Sequence, residues 1–279
     1  MLNPPPLDIA RGFSWQAWAA WVHWHSCSFK GYLLSTAYLF IAHGSRDPRS
    51  QTALESLAQQ VQTAWARDHN APAWIATAVL ELAPQPLHQQ ILTAIAQARS
   101  QGAQHLILLP LFLLPGVHVR EDIPHEVALA QAMGDRPLPI AIAPYVGSHL
   151  GMTALLRRQF ALYPHRGRIL LAHGSRRIGG NQPVEAMAQR LTAIPAYWSV
   201  QPSLPQQLQR FVTDEQTHWI IQPYFLFPGG ITDAIAQQLA DLRPQWPNAT
   251  LDLGIALSDT PEFIPLILDW MHQPDLTLS

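Results

Sequence analysis

The motif His-Gly-Ser-Arg occurs twice, at His43–Arg46 and His173–Arg176. A third motif histidine, His118, stands in Pro115-Gly-Val-His-Val119. Neutral imidazole ligates divalent iron, cobalt, nickel and zinc, and it takes a proton near neutral pH. The chain offers little else to do such work. Cys27 is the only cysteine, so a Cys-rich zinc or iron–sulfur centre is excluded. Two histidines are too few for a closed structural zinc site, which takes four ligands. They suit an open site that holds an ion briefly and passes it on. Lys30 is the only lysine, so no Walker, Schiff-base or kinase-type lysine exists beyond it.

Carboxylates and arginines stand close to both histidines in sequence. Glu81 ends the apolar stretch Val79-Leu-Glu-Leu82, where it is either a solvated strand end or a relay for a proton or metal. Glu121 and Asp122 follow His118 within one turn. Asp122 precedes Ile123-Pro124, which marks it as a helix N-cap, and Glu121 stays open as a relay. Ser45, Arg46 and Arg49 lie where a helix should begin after His43; Arg120 adjoins His118; Arg176 and Arg177 repeat the pattern. Arginines and helix N-termini attract carboxylates and phosphates, so an anionic ligand is expected at Ser45, Arg46 and Arg120.

These residues need a scaffold that gathers them, and an internal repeat supplies it. Phe40-Ile-Ala-His-Gly-Ser-Arg46 returns as Leu170-Leu-Ala-His-Gly-Ser-Arg176. Pro110-Leu-Phe-Leu-Leu-Pro-Gly116 returns as Pro223-Tyr-Phe-Leu-Phe-Pro-Gly229. In the first copy, apolar runs at Tyr38–Ala42, Trp74–Leu82, Leu106–Leu111 and Pro139–Ala143 alternate with helical patterns. The pattern at Leu54, Leu57, Ala58, Val61 and Trp65 is the clearest. Continuous apolar strands alternating with helices predict a parallel sheet covered on both faces. The fold class is therefore α/β, with two tandem lobes, each a doubly wound sheet of four strands. With the strand order 2-1-3-4, His43 and His118 flank the point where the order reverses, at the carboxyl edge where ligands bind. His173 has no such partner, because Gly229-Gly-Ile-Thr232 stands where Gly116-Val-His-Val119 stood. The first lobe is then the active one. Residues 37–163 should form it and residues 164–279 the second.

Residues 1–36 read differently. Trp15, Trp18, Trp21 and Trp24 recur every third residue behind Pro4-Pro-Pro6, interrupted by His23, His25 and Ser26. No basic face opposes them and no apolar run approaches the ~20 residues of a membrane span. The segment is expected to be a poorly ordered extension rather than an interfacial anchor. The chain of 279 residues is 48% hydrophobic, enough for a substantial core, and its net charge of -2 gives no field for nucleic acid or a membrane surface. A single cysteine suits a reducing compartment, so a cytoplasmic location is expected. A hydrolase is excluded by the lack of any Gly-x-Ser-x-Gly elbow.

The segments Ala42-His-Gly-Ser-Arg-Asp-Pro48 and Pro110-Leu-Phe-Leu-Leu-Pro-Gly-Val-His-Val-Arg-Glu-Asp-Ile-Pro124 closely resemble the sirohydrochlorin chelatases of the CbiX/SirB type. The resemblance covers roughly Tyr38 to Trp270. It implies an ATP-independent enzyme that inserts cobalt or iron into sirohydrochlorin, for cobalamin or siroheme synthesis. It also implies that His43 and His118 are the metal-site and catalytic histidines, in the amino-terminal lobe of a long two-lobe form. The divalent metal, Co2+ or Fe2+, is then a substrate, and no cofactor is permanently bound. The partner is a tetrapyrrole with carboxylate side chains, which accords with the arginines. A broad macrocycle fits a cleft between lobes, and two lobes in one chain make a monomer sufficient. A non-catalytic carrier of metal or tetrapyrrole is the alternative.

Overall fold

The computed structural model describes residues 36–134, 138–164, 166–213 and 217–272. The tryptophan-rich extension before them lies outside the described residues. The first lobe runs β1 (Thr36–Ala42), α1 (Pro48–His69), β2 (Trp74–Val79), α2 (Leu87–Ser100), β3 (His105–Pro110), α3 (Ile123–Met133), β4 (Ile140–Ile142) and α4 (Gly151–Ala161). The second runs β5 (Gly167–Ala172), α5 (Gln182–Arg190), β6 (Ile194–Tyr197), α6 (Leu204–Phe211), β7 (His218–Pro223), α7 (Gly230–Leu242), β8 (Thr250–Leu253) and α8 (Phe263–Met271). The sheets are all-parallel, ordered β2-β1-β3-β4 and β6-β5-β7-β8. Both lobes therefore have the expected order, with the reversal between the first and third strands of each.

The central strands β1, β3, β5 and β7 are buried on both faces, which is why they read as unbroken apolar runs. Tyr38, Phe40 and Ala42 of β1 point into one core, and Ala37, Leu39 and Ile41 into another. Strand β5 divides likewise, with Leu170 and Ala172 on one side and Ile169 and Leu171 on the other. The outer cores belong to single lobes. The inner one is common to both: α1 and α4 pack there with α5 and α8, around Trp65, Phe160, Phe263 and Trp270. Trp270 Nε1 donates to the carbonyl of Pro144 across the lobes at 3.0 Å. A buried side chain of that size is worth about 3–5 kcal/mol against alanine.

Helix α1 starts where the chain leaves β1. Asp47 caps it by accepting from the backbone N–H of Arg49 at 3.0 Å, Pro48 fills the first turn, and Asn70 ends it in the left-handed conformation. Its buried stripe is Leu54, Leu57, Ala58, Val61 and Trp65. Among the described residues no helix is long and apolar enough to cross a membrane.

Candidate metal and substrate site

The carboxyl edge of the first sheet is tied together by backbone hydrogen bonds just past the strands. Leu80 and Glu81 donate to the carbonyls of Ala42 and His43, both at 2.9 Å, and Leu111 donates to that of Ile41 at 2.8 Å. Gly44 follows His43 with φ +101°, and a Cβ there would lie 2.0 Å from the carbonyl oxygen of Glu81. Only glycine permits both the backbone angle and this approach. The loop after β3 is held by a second glycine. Gly147 donates to the carbonyl of Phe112 at 3.0 Å, and a Cβ on it would meet the Leu113 oxygen at 2.1 Å.

These ties bring three side chains to one point. His43, Glu81 and His118 each offer a ligand atom, and the three atoms lie within 4.8 Å of one another. The two imidazoles meet edge to face with centroids 4.6 Å apart, and His43 Nδ1 is 3.9 Å from Glu81 Oε2. Phe112 stands beside both rings, with centroids at 6.3 and 6.1 Å. His43 and Glu81 are about half exposed, at 52% and 50%, so an incoming ligand can reach them. Two nitrogens and one carboxylate oxygen make an open donor set for a borderline divalent ion, with coordination positions to spare.

His118 is oriented from behind. It opens a single wide turn, His118–Asp122, that runs into α3, and its Nδ1 lies 2.6 Å from Asp122 Oδ2. A carboxylate only accepts, so Nδ1 carries the proton and Nε2 is left as the lone-pair atom. This corrects the expected role of Asp122. Its side chain makes no cap for α3; it holds an imidazole four residues away. The signal was in the sequence, as His118-x-x-x-Asp122 on one helical face. Phe112 carried no readable signal.

The remaining candidates spread around this point. Ser45 Oγ accepts from the backbone N–H of Asp47 at 3.0 Å and so shapes the turn into α1. Arg46 and Arg120 are exposed; the Arg120 charge reaches Tyr145, whose phenol burial pushes up. Glu121 is exposed and not part of the three-residue group. Arg49 is not open to an anionic ligand. Its guanidinium is gripped by Asp47 and by Asp233 of the second lobe, both at 2.6 Å, which raises its own pKa and holds the Asp47 carboxyl below the usual range. The second lobe also reaches the loop before His118, where the buried phenol of Tyr224 donates to the Leu113 carbonyl at 3.4 Å. Among the described residues His173, in the second lobe, joins no such group; Ser199 Oγ stands 3.3 Å from its Nδ1.

The CbiX family model matches residues 37–162 and 167–273, nearly the whole of both lobes. The chain belongs to the CbiX family. Among relatives, the sirohydrochlorin ferrochelatase of Bacillus subtilis (strain 168) is 24% identical over 235 residues, covering 78% of this chain and 84% of that protein. The sirohydrochlorin cobaltochelatase of Methanocaldococcus jannaschii is 30% identical over 95 residues, covering 34% of this chain and 60% of that one. The structure of SirB from Bacillus subtilis with Fe3+ superposes with a TM-score of 0.71 at 20% identity, over 88% of this chain and 100% of that one. At that identity the superposition establishes a shared fold.

Proposed function

We propose that this CbiX-family chain is a sirohydrochlorin chelatase that inserts Co2+ or Fe2+ into the macrocycle without ATP. The observation that carries the reading is the meeting of His43, Glu81 and His118 at the open carboxyl edge of the first sheet. Relatives acting on sirohydrochlorin with iron and with cobalt support it. So does the absence of any Gly-Lys-Ser/Thr phosphate loop from the sequence.

Insertion exchanges two pyrrole N–H protons for one divalent ion, with no change of oxidation state. In this reading His43 and His118 hold the ion on arrival. As it moves to the macrocycle, the freed imidazoles and the Glu81 carboxylate accept the two protons. Asp122 acts through His118, keeping its proton on Nδ1 and stabilising the ring when it becomes cationic. Arg46, Arg120 and the turn at Ser45 face the substrate's carboxylates. Glu121, on the exposed side of the same turn, is at most a route for protons to water. The macrocycle lies in the cleft between the lobes, the enzyme works as a monomer, and it is cytoplasmic.

The test is anaerobic insertion with Co2+ and Fe2+ assayed separately, followed by the absorbance of sirohydrochlorin. Many turnovers per protein are expected; uptake that stops at one equivalent would identify a carrier instead. His43→Ala and His118→Ala should each lower the rate by about 10²–10⁴ with the fold retained, while His173→Ala stays near the parent rate. Full activity in either of the first two variants would overturn the assignment.

A further inference from the structure

A second convergence of imidazoles lies at the far end of α1. That helix spans 22 residues, so its end is about 33 Å from its start beside His43. There His69, in its last turn, meets His272, which closes α8 of the second lobe. Their Nε2 atoms are 2.8 Å apart. Both rings lie on Trp65, stacked with centroids at 4.1 and 4.8 Å and interplanar angles of 22° and 10°. Trp65 is buried in the core that both lobes share, so the pair rests on a fixed platform.

Hydrogen bonding decides which atoms are bare. His69 Nδ1 is 3.0 Å from the Trp65 carbonyl, and His272 Nδ1 is 2.5 Å from that of Leu268. A carbonyl only accepts, so both Nδ1 atoms carry hydrogens. Each neutral ring then turns an Nε2 lone pair toward the other, and two bare lone pairs at this distance repel. The focus calls for a cation, either a shared proton or a metal ion. Backbone carbonyls on the rear nitrogens are the arrangement by which proteins orient metal-binding histidines. The acidic groups acting on His272 are Asp68 on α1 and Asp269 on α8. Asp269 also faces His149, at 3.3 Å, ahead of α4.

We propose that His69 and His272 form a second site for a divalent transition-metal ion, remote from His43 and His118, where the ion staples the last helix of the second lobe to the first helix of the first. Imidazole donors suit Zn2+, Co2+, Ni2+ and Cu2+. Bonds of about 2.0–2.1 Å in tetrahedral geometry put two nitrogens roughly 3.3 Å apart, so the rings need open by only about half an ångström. Water completes the shell from the exposed side.

The test uses the full chain carrying His43→Ala and His118→Ala, so that the proposed insertion site does not compete. Zn2+ is titrated by equilibrium dialysis and its effect on Tm is recorded. Saturable binding with a Tm rise of several degrees is expected. His69→Gln or His272→Gln should weaken binding at least tenfold and remove the rise, while leaving the metal-free Tm within a few degrees. Cu2+ electron paramagnetic resonance of the parent background should show coupling to imidazole nitrogen, a readout that survives if either Gln variant folds poorly. Zn2+ binding unchanged by both Gln substitutions, no Tm rise, or a Cu2+ spectrum without nitrogen coupling would each overturn the proposal. None of these outcomes bears on insertion activity, so this site and the proposed reaction fail or stand separately.

Discussion

The two lobes share a backbone around their first strands and differ in the side chains placed on it. Glu81 donates its N–H to the His43 carbonyl at 2.9 Å, and Ser199 donates to that of His173 at 2.8 Å. Leu111 and Tyr224 close the third strand of each lobe the same way, at 2.8 and 2.7 Å. Both histidines are followed by a glycine at positive φ, +101° and +85°. Against this common frame three positions part. Glu81 corresponds to Ser199, His118 to Ile231, and Asp122 to the buried Ile235. The second lobe has thus kept these strand-end ties and the glycine after its histidine, while lacking counterparts of Glu81, His118 and Asp122. What maintains it is packing: its inner face completes the common core, and Asp233 and Tyr224 brace the loops that carry the first lobe's chemistry. A frame can outlast its chemistry when another part of the molecule leans on it.

That contrast can be broken by substitution. The largest effect is expected at the paired glycines. Gly44→Ala drives a Cβ into the Glu81 carbonyl, separating His43 from Glu81, and should reduce insertion by at least about 10². Gly174→Ala meets the Tyr197 and Val200 side chains instead, so it should lower Tm while leaving the insertion rate within a few-fold of the parent. Equal losses of rate in both would show that the lobes contribute alike. A smaller effect is expected from Asp122→Asn. Its amide no longer enforces the Nδ1 proton of His118, and a rate or metal-affinity loss of about 10–100-fold should follow. The same change to the exposed Glu121, Glu121→Gln, should leave both readouts close to the parent. The smallest change in rate is expected from Ser199→Glu with Ile231→His, which restores two lost donors beside His173. This double variant should gain a weak second equivalent of bound Co2+ by dialysis in a His43→Ala, His118→Ala background, with an insertion rate no higher than that of the background. Failure to bind would mean that donor types alone do not distinguish the lobes.

Much of this was legible from residue order. The repeat was legible from its matching motifs, and the parallel sheets from continuous apolar strands, whose burial on both faces leaves a strong local signature; the order 2-1-3-4 is the common one for such sheets. The meeting of His43 with His118 followed from that order, since strands one and three flank the reversal. The parts that escaped depend on side-chain direction or on contacts between lobes. Asp122 reads as a cap because Ile-Pro follows it; only the wide turn at His118–Asp122 aims its carboxylate backward. Arg49 reads as an anion ligand until Asp233, supplied by the other lobe, claims it. No motif surrounds His69 or His272 in the sequence, and 203 positions separate them. No local pattern encodes a pairing between helices so far apart in sequence.

The inner apolar layer has a consequence for the molecule's architecture. Because α1 and α4 bury themselves against α5 and α8, a half cut free near residue 164 would present that whole layer to water. Separate halves would stick to each other or to themselves, at a strength set by concentration. Joined in one polypeptide, the braces that Tyr224 and Asp233 lend to the histidine-bearing loops persist at any dilution.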